Sequence, residues 1–173
     1  MFYQTADNLV TKKPYTDIKS TNPALYSGSS PARPFTIRLA EQNDKLSIIR
    51  SAQKKQTDYM TTVQLCEDID RNRLIVAIDN TIHKIVGWCA LDFACQQTHG
   101  YCGIKRMMIP NKQYRKRGIP NLMLQWIIQE YPKLKFGATP WIDNFAMRKV
   151  LEKNGFTLSY YFGENDMWCC YTK

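Results

Sequence analysis

The sequence predicts an α/β domain in which a mixed, mostly antiparallel and twisted sheet carries helices on both faces. Three observations lead to this prediction. Segments of strand length, either alternating or continuously apolar, recur from Phe35 to the C-terminus. Two amphipathic segments with helix start signals, at Ile119 and after Asn144, interrupt them. The length of 173 residues, with 44% hydrophobic residues, suits one buried core.

The domain begins with a short alternating strand at residues 35–40, FTIRLA. Asn43 or Asp44 is placed to cap a helix that runs to Ala52, and a second helix is expected from Thr61 to Ile69. Further strands are expected at Leu74–Ile78, Ile85–Ala94, Tyr101–Ile109, Leu134–Ala138, Phe156–Phe162 and Met167–Thr172, with a turn at residues 96–100.

Residues 1–33 precede the domain of residues 34–173 and are rich in Ser, Thr, Asn, Pro and Gly without sustained periodicity. We expect an irregular arm, with Tyr3, Tyr15, Leu25 and Tyr26 as the residues that would pin it either to the domain or to a second subunit of a homodimer. The N-terminus lacks the basic start and apolar stretch of a signal peptide, and no run of 18 apolar residues occurs. A cytoplasmic protein that does not enter the membrane is therefore expected.

The most informative stretch is Met107–Gln129, which combines a strand end, a basic turn and a helix start. Pro120 stands in the first turn of the helix, where the N–H that it lacks would have no partner. A helix N-terminus presents free N–H groups and the positive end of the helix dipole, and Gly118 lets the backbone approach a bound group closely. The stretch therefore predicts a pyrophosphate site, formed by Arg115, Lys116, Arg117, Gly118, Ile119, Pro120 and Asn121.

A second block, Asn144–Phe156, has the sequence NFAMRKVLEKNGF. Its pattern is that of an amphipathic helix with Met147, Val150 and Leu151 inward, and Gly155 is placed to end it.

The two blocks together resemble the GNAT superfamily of N-acetyltransferases. RKRGIP after MMIP is similar to the family's (Gln/Arg)-x-x-Gly-x-(Gly/Ala) loop, which holds the pyrophosphate of acetyl-coenzyme A (acetyl-CoA). The second block resembles the family's later helix, with Asn144, Lys153, Gly155 and Phe156 in register. The chain departs from the family at Pro120, which replaces the usual Gly or Ala and removes one amide donor, and in a longer linker before Arg115.

The resemblance implies acetyl-CoA as the co-substrate. It also implies that the backbone of Met107, Met108 and Ile109 pairs with the pantetheine arm like an added strand, and that one of these amides stabilises the oxyanion of the reaction. Asn144 and Lys153 complete the implied cofactor-binding set.

The resemblance further implies a primary amine as acceptor, which is a small molecule, a protein lysine or N-terminus, or an aminoacyl-tRNA. Leu151 stands where many members keep a tyrosine as general acid. Tyr160 in the terminal strand is the catalytic candidate that replaces it, with its neighbour Tyr161 as an alternative. Otherwise the proton of the departing thiol comes from water or from the amine, and slow turnover is expected.

The acidic residues also have more than one possible role. Asp92 is a candidate base, while Glu67, Asp68 and Asp70 either face a cationic amine or are merely solvated. Because neither acid nor base is obvious, the alternative function is a weakly active GNAT-fold module that binds coenzyme A (CoA) or nucleic acid as a regulator.

Charge and cysteine content narrow the partners. Lys and Arg total 24 against 15 Asp and Glu, a formal charge of +9. This surplus favours anionic partners such as CoA, nucleic acid or an acidic protein surface, and it equally suits an inert basic surface. The six cysteines form no C-x-x-C pair and only two histidines occur, so reduced thiols and no metal site are expected.

Overall fold

The central sheet has seven strands in the part of the chain that the computed structural model describes, residues 34–53, 59–164 and 167–173. They are β1 Phe35–Leu39, β2 Leu74–Asp79, β3 Lys84–Asp92, β4 Cys102–Met108, β5 Phe136–Ala138, β6 Thr157–Phe162 and β7 Trp168–Thr172. Their order across the sheet is β1-β2-β3-β4-β5-β7-β6. Neighbouring strands are antiparallel except β4 and β5, which run parallel. The predicted fold class is confirmed.

Helices cover both faces of this sheet. They are α1 Lys45–Gln53, α2 Tyr59–Asp70, α3 Ala94–His99, α4 Ile119–Glu130 and α5 Phe145–Lys153. Alternation along β2 separates two apolar cores, because Leu74 packs with Ile48 of α1 and Leu65 of α2, whereas Ile75 belongs to the core that contains α4 and α5. We call the two sides the α1/α2 face and the α4/α5 face.

The observed structure differs from the prediction after β3. Residues 96–100 were expected to form a turn, but residues 94–99 form the short helix α3. The strand stops at Asp92, whose carboxylate accepts a hydrogen bond of 3.0 Å from the backbone N–H of Ala94 and caps the helix. Gly100 then ends it with a φ of 75°.

The entry to α1 also differs in detail. A 3-10 turn, Gln42–Asp44, precedes the helix, and Asn43 lies inside this turn. The N-cap of this turn is Glu41, so neither Asn43 nor Asp44 is the cap that was expected. Asp44 completes the capping box, since its carboxylate accepts a 2.8 Å hydrogen bond from the N–H of Glu41, and it also pairs with Arg38 at 2.7 Å.

The remaining predicted elements overlap the observed ones, with boundaries that move by one or two residues. The predicted N-terminal arm, residues 1–33, lies outside the described residues. Within the described residues, no helix combines the length and apolar character needed to cross a bilayer.

Candidate functional site

The parallel strands β4 and β5 pair over three residues and then separate. Their pairing ends at Ile104 and Ala138, where β5 stops while β4 continues to Met108. Among the residues that the structure describes, the backbone of residues 105–108 therefore has no strand neighbour on its β5 side. An extended ligand can pair with such an edge as an added strand. We call this gap the strand opening.

A β-bulge shapes β4 beside the strand opening. Between the pairs Ala90↔Lys105 and Trp88↔Met108, β4 contains one more residue than β3. Arg106 takes up this extra length with a φ of 52°, a left-handed conformation that is unusual for a residue other than glycine. The bulge turns the side chain of Arg106 toward α2, where it pairs with Asp68.

The basic turn and the start of α4 form a loop with amide donors that the helix itself does not use. Lys116 and Gly118 both have a positive φ, of 64° and 76°, so the backbone winds tightly around this point. The first hydrogen bond of α4 runs from the N–H of Leu122 to the carbonyl of Gly118, at 3.1 Å. The helix therefore leaves the amides of Ile119 and Asn121 without an intrahelical partner, and Pro120 has no backbone N–H. The predicted start of the helix at Ile119 is confirmed.

The three basic side chains of this loop are arranged differently. Arg115 and Lys116 are exposed at its tip. The guanidinium of Arg117 lies over the rings of Phe35 and Tyr114, 5.1 and 5.4 Å from their centroids. Arg117 thus fastens the loop to β1, while the other two cations stay available to an anion.

The linker before this loop is folded. Its residues Lys112–Tyr114 form a 3-10 turn that Asn111 caps by accepting from the N–H of Gln113 at 3.1 Å. Tyr114 is buried and packs edge-on against Phe35, with ring centroids 6.3 Å apart. The additional linker length therefore anchors the loop in the core.

Helix α5 lies alongside α4 and supplies the second implied part of the site. Asn144 caps α5, since its side chain accepts a 3.1 Å hydrogen bond from the N–H of Met147. Lys153 is exposed in the last turn. Asn154, which the sequence analysis passed over, donates a 2.9 Å hydrogen bond to the side-chain oxygen of Asn121. This bond joins the end of α5 to the first turn of α4.

Leu151, which stands where many GNAT members keep a tyrosine, is closed to solvent. Leu151 is fully buried in the core of the α4/α5 face, as its place on the apolar side of the helix predicts. The buried Tyr171 is held on the same face, where its hydroxyl donates to Glu152 at 2.8 Å and accepts from Arg148 at 3.1 Å. Both partners lie on α5, so these bonds join β7 to this helix.

Tyr160 lies on the α1/α2 face. Tyr171 points into the α4/α5 core, so its neighbour Cys170 and the strand partner of Cys170, Tyr160, point to the other side. The hydroxyl of Tyr101 is 4.0 Å from the sulfur of Cys170. Hydrogen bonding to Cys170 raises the pKa of Tyr160, and burial raises the pKa of Tyr101. Tyr161 follows on the opposite side of β6.

A row of aromatic rings continues from Tyr160 along this face. Tyr160 and Phe162 have centroids 5.9 Å apart, Phe162 stacks on Trp168 at 6.5 Å, and Trp168 meets Trp141 at 4.3 Å. Trp141 and Tyr160 are about half exposed, at 50% and 51%. The strands β6 and β7 thus present a solvent-accessible aromatic surface.

The acidic candidates divide into two groups. Asp70 lies apart, bound to Lys45 at 3.0 Å and to Gln42 at 3.0 Å. Glu67, Asp68 and Asp92 line a cleft of about 180 Å³ between α2 and the strands β3 and β4. Asp68 forms an ion pair with Arg106, and Asp92 forms one with Lys105.

Asp92 is held in its ionised form. Burial disfavours its charge, but the hydrogen bond and charge of Lys105, together with the N–H of Ala94, outweigh burial and lower the pKa of Asp92. A carboxylate with a lowered pKa is a weak base, so Asp92 is better suited to bind a cation than to remove its proton. Within the described residues, no group of three or more His, Cys, Asp and Glu side chains is arranged to hold a metal ion.

Comparison with solved structures identifies the fold. A GNAT-family acetyltransferase from Streptococcus agalactiae has a TM-score of 0.64 at 20% identity, covering 80% of this chain and 94% of that chain. One from Bacillus cereus has a TM-score of 0.65 at 16% identity, covering 80% and 96%. A ribosomal-protein-S5-alanine acetyltransferase from Vibrio fischeri has a TM-score of 0.62 at 17% identity, covering 82% and 93%.

No family model and no curated protein sequence matches the chain. At these identities the structural likeness establishes the architecture, and the chain has the fold of the GNAT acetyltransferases. The resemblance drawn from the two sequence blocks is confirmed at this level.

Proposed function

We propose that the protein is an acetyl-CoA dependent N-acetyltransferase that acts on a primary amine. The observation that carries this proposal is the strand opening, which continues through the end of β4 into the loop at the start of α4. A long ligand lying there would meet unpaired backbone groups at both ends. When bound, acetyl-CoA supplies an acetyl group activated as a thioester.

The residues of the loop fit a pyrophosphate. The amides of Ile119 and Asn121 and the positive end of α4 favour an anion, and the exposed Arg115 and Lys116 add charge. A side chain built on Gly118 would meet nothing within 4 Å, so the surface there is open to a bound group. Arg117 adds its charge from its position over the aromatic rings.

The residues along the strand opening fit an extended arm. The backbone of Met107, Met108 and Ile109 would hydrogen-bond to pantetheine amides, with Asn144 and Lys153 on the α5 side. One amide of the same edge would donate to the thioester carbonyl oxygen and stabilise the charge that develops on it. Such backbone chemistry does not depend on which side chains the strand carries.

Acceleration would come mainly from holding amine and thioester together. Asp92 would attract the ammonium form of the acceptor without removing its proton, because its pKa is lowered. The amine then loses its proton to solvent. Tyr160 remains the tyrosine candidate on the α1/α2 face, but its raised pKa makes it a weak proton donor.

The direct test is mass spectrometry of the purified protein, first native and then denatured, followed by calorimetry with acetyl-CoA. We expect a noncovalent adduct with the mass of CoA or acetyl-CoA that disappears on denaturation, and saturable binding. Thiol release from acetyl-CoA in the presence of an amine panel then reports turnover. Absence of binding in calorimetry would refute the proposal.

Two further partners follow from the surface. The charge of +9 supports a nucleic-acid partner such as an aminoacyl-tRNA, for which filter binding should weaken steeply with salt. No retention at low salt would remove that partner.

The exposed edge strand β6 supports a homodimer, which sedimentation at several concentrations tests. We also propose a cytoplasmic location, which cell fractionation tests.

A further inference from the structure

The cleft between α2 and the strands β3 and β4 carries both signs of charge. Its volume is about 180 Å³. Seven ionisable side chains line it, namely the acids Glu67, Asp68 and Asp92 and the bases Arg71, Arg73, Lys105 and Arg106. A mixed lining of this kind suits a ligand that itself carries both charges.

The two shielded carboxylates of the cleft are already satisfied. Asp68 is paired with Arg106 and Asp92 with Lys105. Both bases come from β4 and reach across to a different element, so the pairs hold the floor of the cleft together. Glu67 is exposed at its rim.

The cleft has unmatched hydrogen-bond donors. Among the described residues, neither Arg71 nor Arg73 forms an ion pair, and Arg73 lies over the ring of Phe93 at 5.9 Å. A guanidinium binds a carboxylate through charge-assisted hydrogen bonds, often two in parallel, so Arg71 and Arg73 suit a ligand carboxylate.

The cleft adjoins the strand opening. Lys105 and Arg106 are the first residues of β4 beyond its last pair with β5, at Ile104. The ammonium of Lys105 rests on Asp92, which marks a place where an ammonium group is stabilised. The amine end of a ligand can bind the same carboxylate beside Lys105, next to the backbone edge where the thioester carbonyl would bind.

We propose that the acceptor is a small amino carboxylate such as a free amino acid, with its carboxylate at Arg71 and Arg73 and its amine beside Asp92. This inference rests on the proposed acetyltransferase function. In the reaction the amine nitrogen forms a C–N bond to the acetyl carbon and the thioester C–S bond breaks. The bound ammonium first gives one proton to solvent, the nitrogen gives a second as the C–N bond forms, and the thiolate takes one from solvent. A linear polyamine is disfavoured, because the bases outnumber the acids.

The test compares matched acceptors at saturating acetyl-CoA. The twenty common L-amino acids are assayed against their carboxamides and against a linear polyamine, by thiol release and by mass spectrometry of the product. We expect kcat/KM for the best amino acid to exceed that for its carboxamide by about 10²-fold, since one lost charged hydrogen-bonding group typically costs this much. Equal or faster acetylation of the carboxamide or the polyamine would overturn the inference.

Two variants test whether the preference for a carboxylate arises from the cleft. Arg73→Gln and Arg71→Gln should each raise KM for the amino acid about tenfold or more and leave KM for the carboxamide unchanged. Lys133→Gln removes the same charge from an exposed turn after α4 and should change neither value. Because Arg71 is exposed, its variant is expected to fold even if the Arg73 variant does not.

Calorimetry with CoA distinguishes a wrong substrate class from a wrong acetyltransferase function. If CoA binds and no amino acid is acetylated, the substrate class is wrong while the cofactor site stands. If CoA does not bind, the proposed function itself fails. An unchanged preference for the carboxylate in both arginine variants would also overturn the assignment of the cleft.

Discussion

The side-chain amide of Asn154 donates a hydrogen bond of 2.9 Å to the side-chain oxygen of Asn121 and joins the end of α5 to the first turn of α4. The same amide group donates to the carbonyl of Val150 at 2.7 Å. Because Asn154 is 8% exposed, water has little access to replace these bonds. The bond connects the two sequence blocks that carry the family resemblance.

Replacement of Asn154 by Asp keeps the shape of the side chain but removes its amide donors. We expect Asn154→Asp to lower the free energy of unfolding by about 1–3 kcal/mol, because two acceptors lose their partner in a shielded site. Urea unfolding measures this change. CoA affinity should fall as well, since Asn121 loses the contact that fixes it at the start of α4.

A double-mutant cycle separates the bond from other effects of the change. Asn121→Ala, Asn154→Ala and the double variant should give a coupling of about 0.5–1.5 kcal/mol. Additive single variants would mean that the two side chains do not stabilise each other.

Gly118 offers a prediction with a matched control. Its φ of 76° and the empty space around it are shared by Gly100, whose φ is 75°. Replacing either glycine with Glu should cost about 1 kcal/mol of stability, because a side chain disfavours this backbone conformation. At Gly118 the carboxylate would also stand at the proposed pyrophosphate site, so calorimetry should show CoA affinity reduced more than tenfold.

Gly100 lies at the end of α3, away from that loop. Gly100→Glu should therefore keep normal CoA affinity despite a similar loss of stability. Equal CoA affinity in the two glutamate variants would exclude the loop at Gly118 as the pyrophosphate site.

Tyr160 is predicted to contribute little to catalysis. A thiol has a pKa of about 8.5, and the pKa of Tyr160 is raised above its ordinary value of 10.0, so proton transfer from Tyr160 to the thiolate runs uphill. We expect Tyr160→Phe to change kcat by less than about threefold. Tyr161→Phe, on the opposite side of the same strand, is the control.

The outcome against this expectation is also specific. A loss of more than about 10²-fold in kcat for Tyr160→Phe, with normal CoA affinity and a normal Tyr161→Phe, would show that the general acid lies in the terminal strand. Introducing a tyrosine at Leu151 is not expected to help, because that side chain is fully buried and a larger one would overpack the core.

Local signals predicted most of the fold. Pro120 after Gly118 marked the start of α4, and Asn144 marked the cap of α5, because helix ends depend on residues that are adjacent in sequence. The sequence signal for α3 is Asp92, whose carboxylate suits a helix cap as well as a catalytic base. Such a cap depends on neighbouring residues and is open to sequence-based prediction.

Long-range contacts could not be predicted in this way. The pair Arg106 with Asp68 and the bond between Asn154 and Asn121 join residues more than 30 positions apart. Arg117 was expected to face the pyrophosphate, and its contact with the Phe35 ring depends on how β1 and the loop pack. Such contacts define the cleft and fix the loop, so the fold could be predicted from the sequence more fully than the candidate site.

The bulge residue Arg106 allows a test of the backbone that shapes the cleft. Its φ of 52° is unfavourable for any side chain, whereas glycine adopts it freely. Arg106→Ala and Arg106→Gly both remove the ion pair with Asp68, so their difference isolates the backbone term. We expect the glycine variant to be more stable in urea unfolding by about 1 kcal/mol.

The adjacent Lys105 gives the control, because it lies in β4 without a positive φ. At a regular strand position glycine is less favourable than alanine by about 0.5–1 kcal/mol, so Lys105→Gly should be less stable than Lys105→Ala. The order of the two variants is thus expected to reverse between neighbouring residues. If alanine is the more stable at both positions, Arg106 does not adopt the left-handed conformation, and its side chain would not be directed toward Asp68 by the bulge.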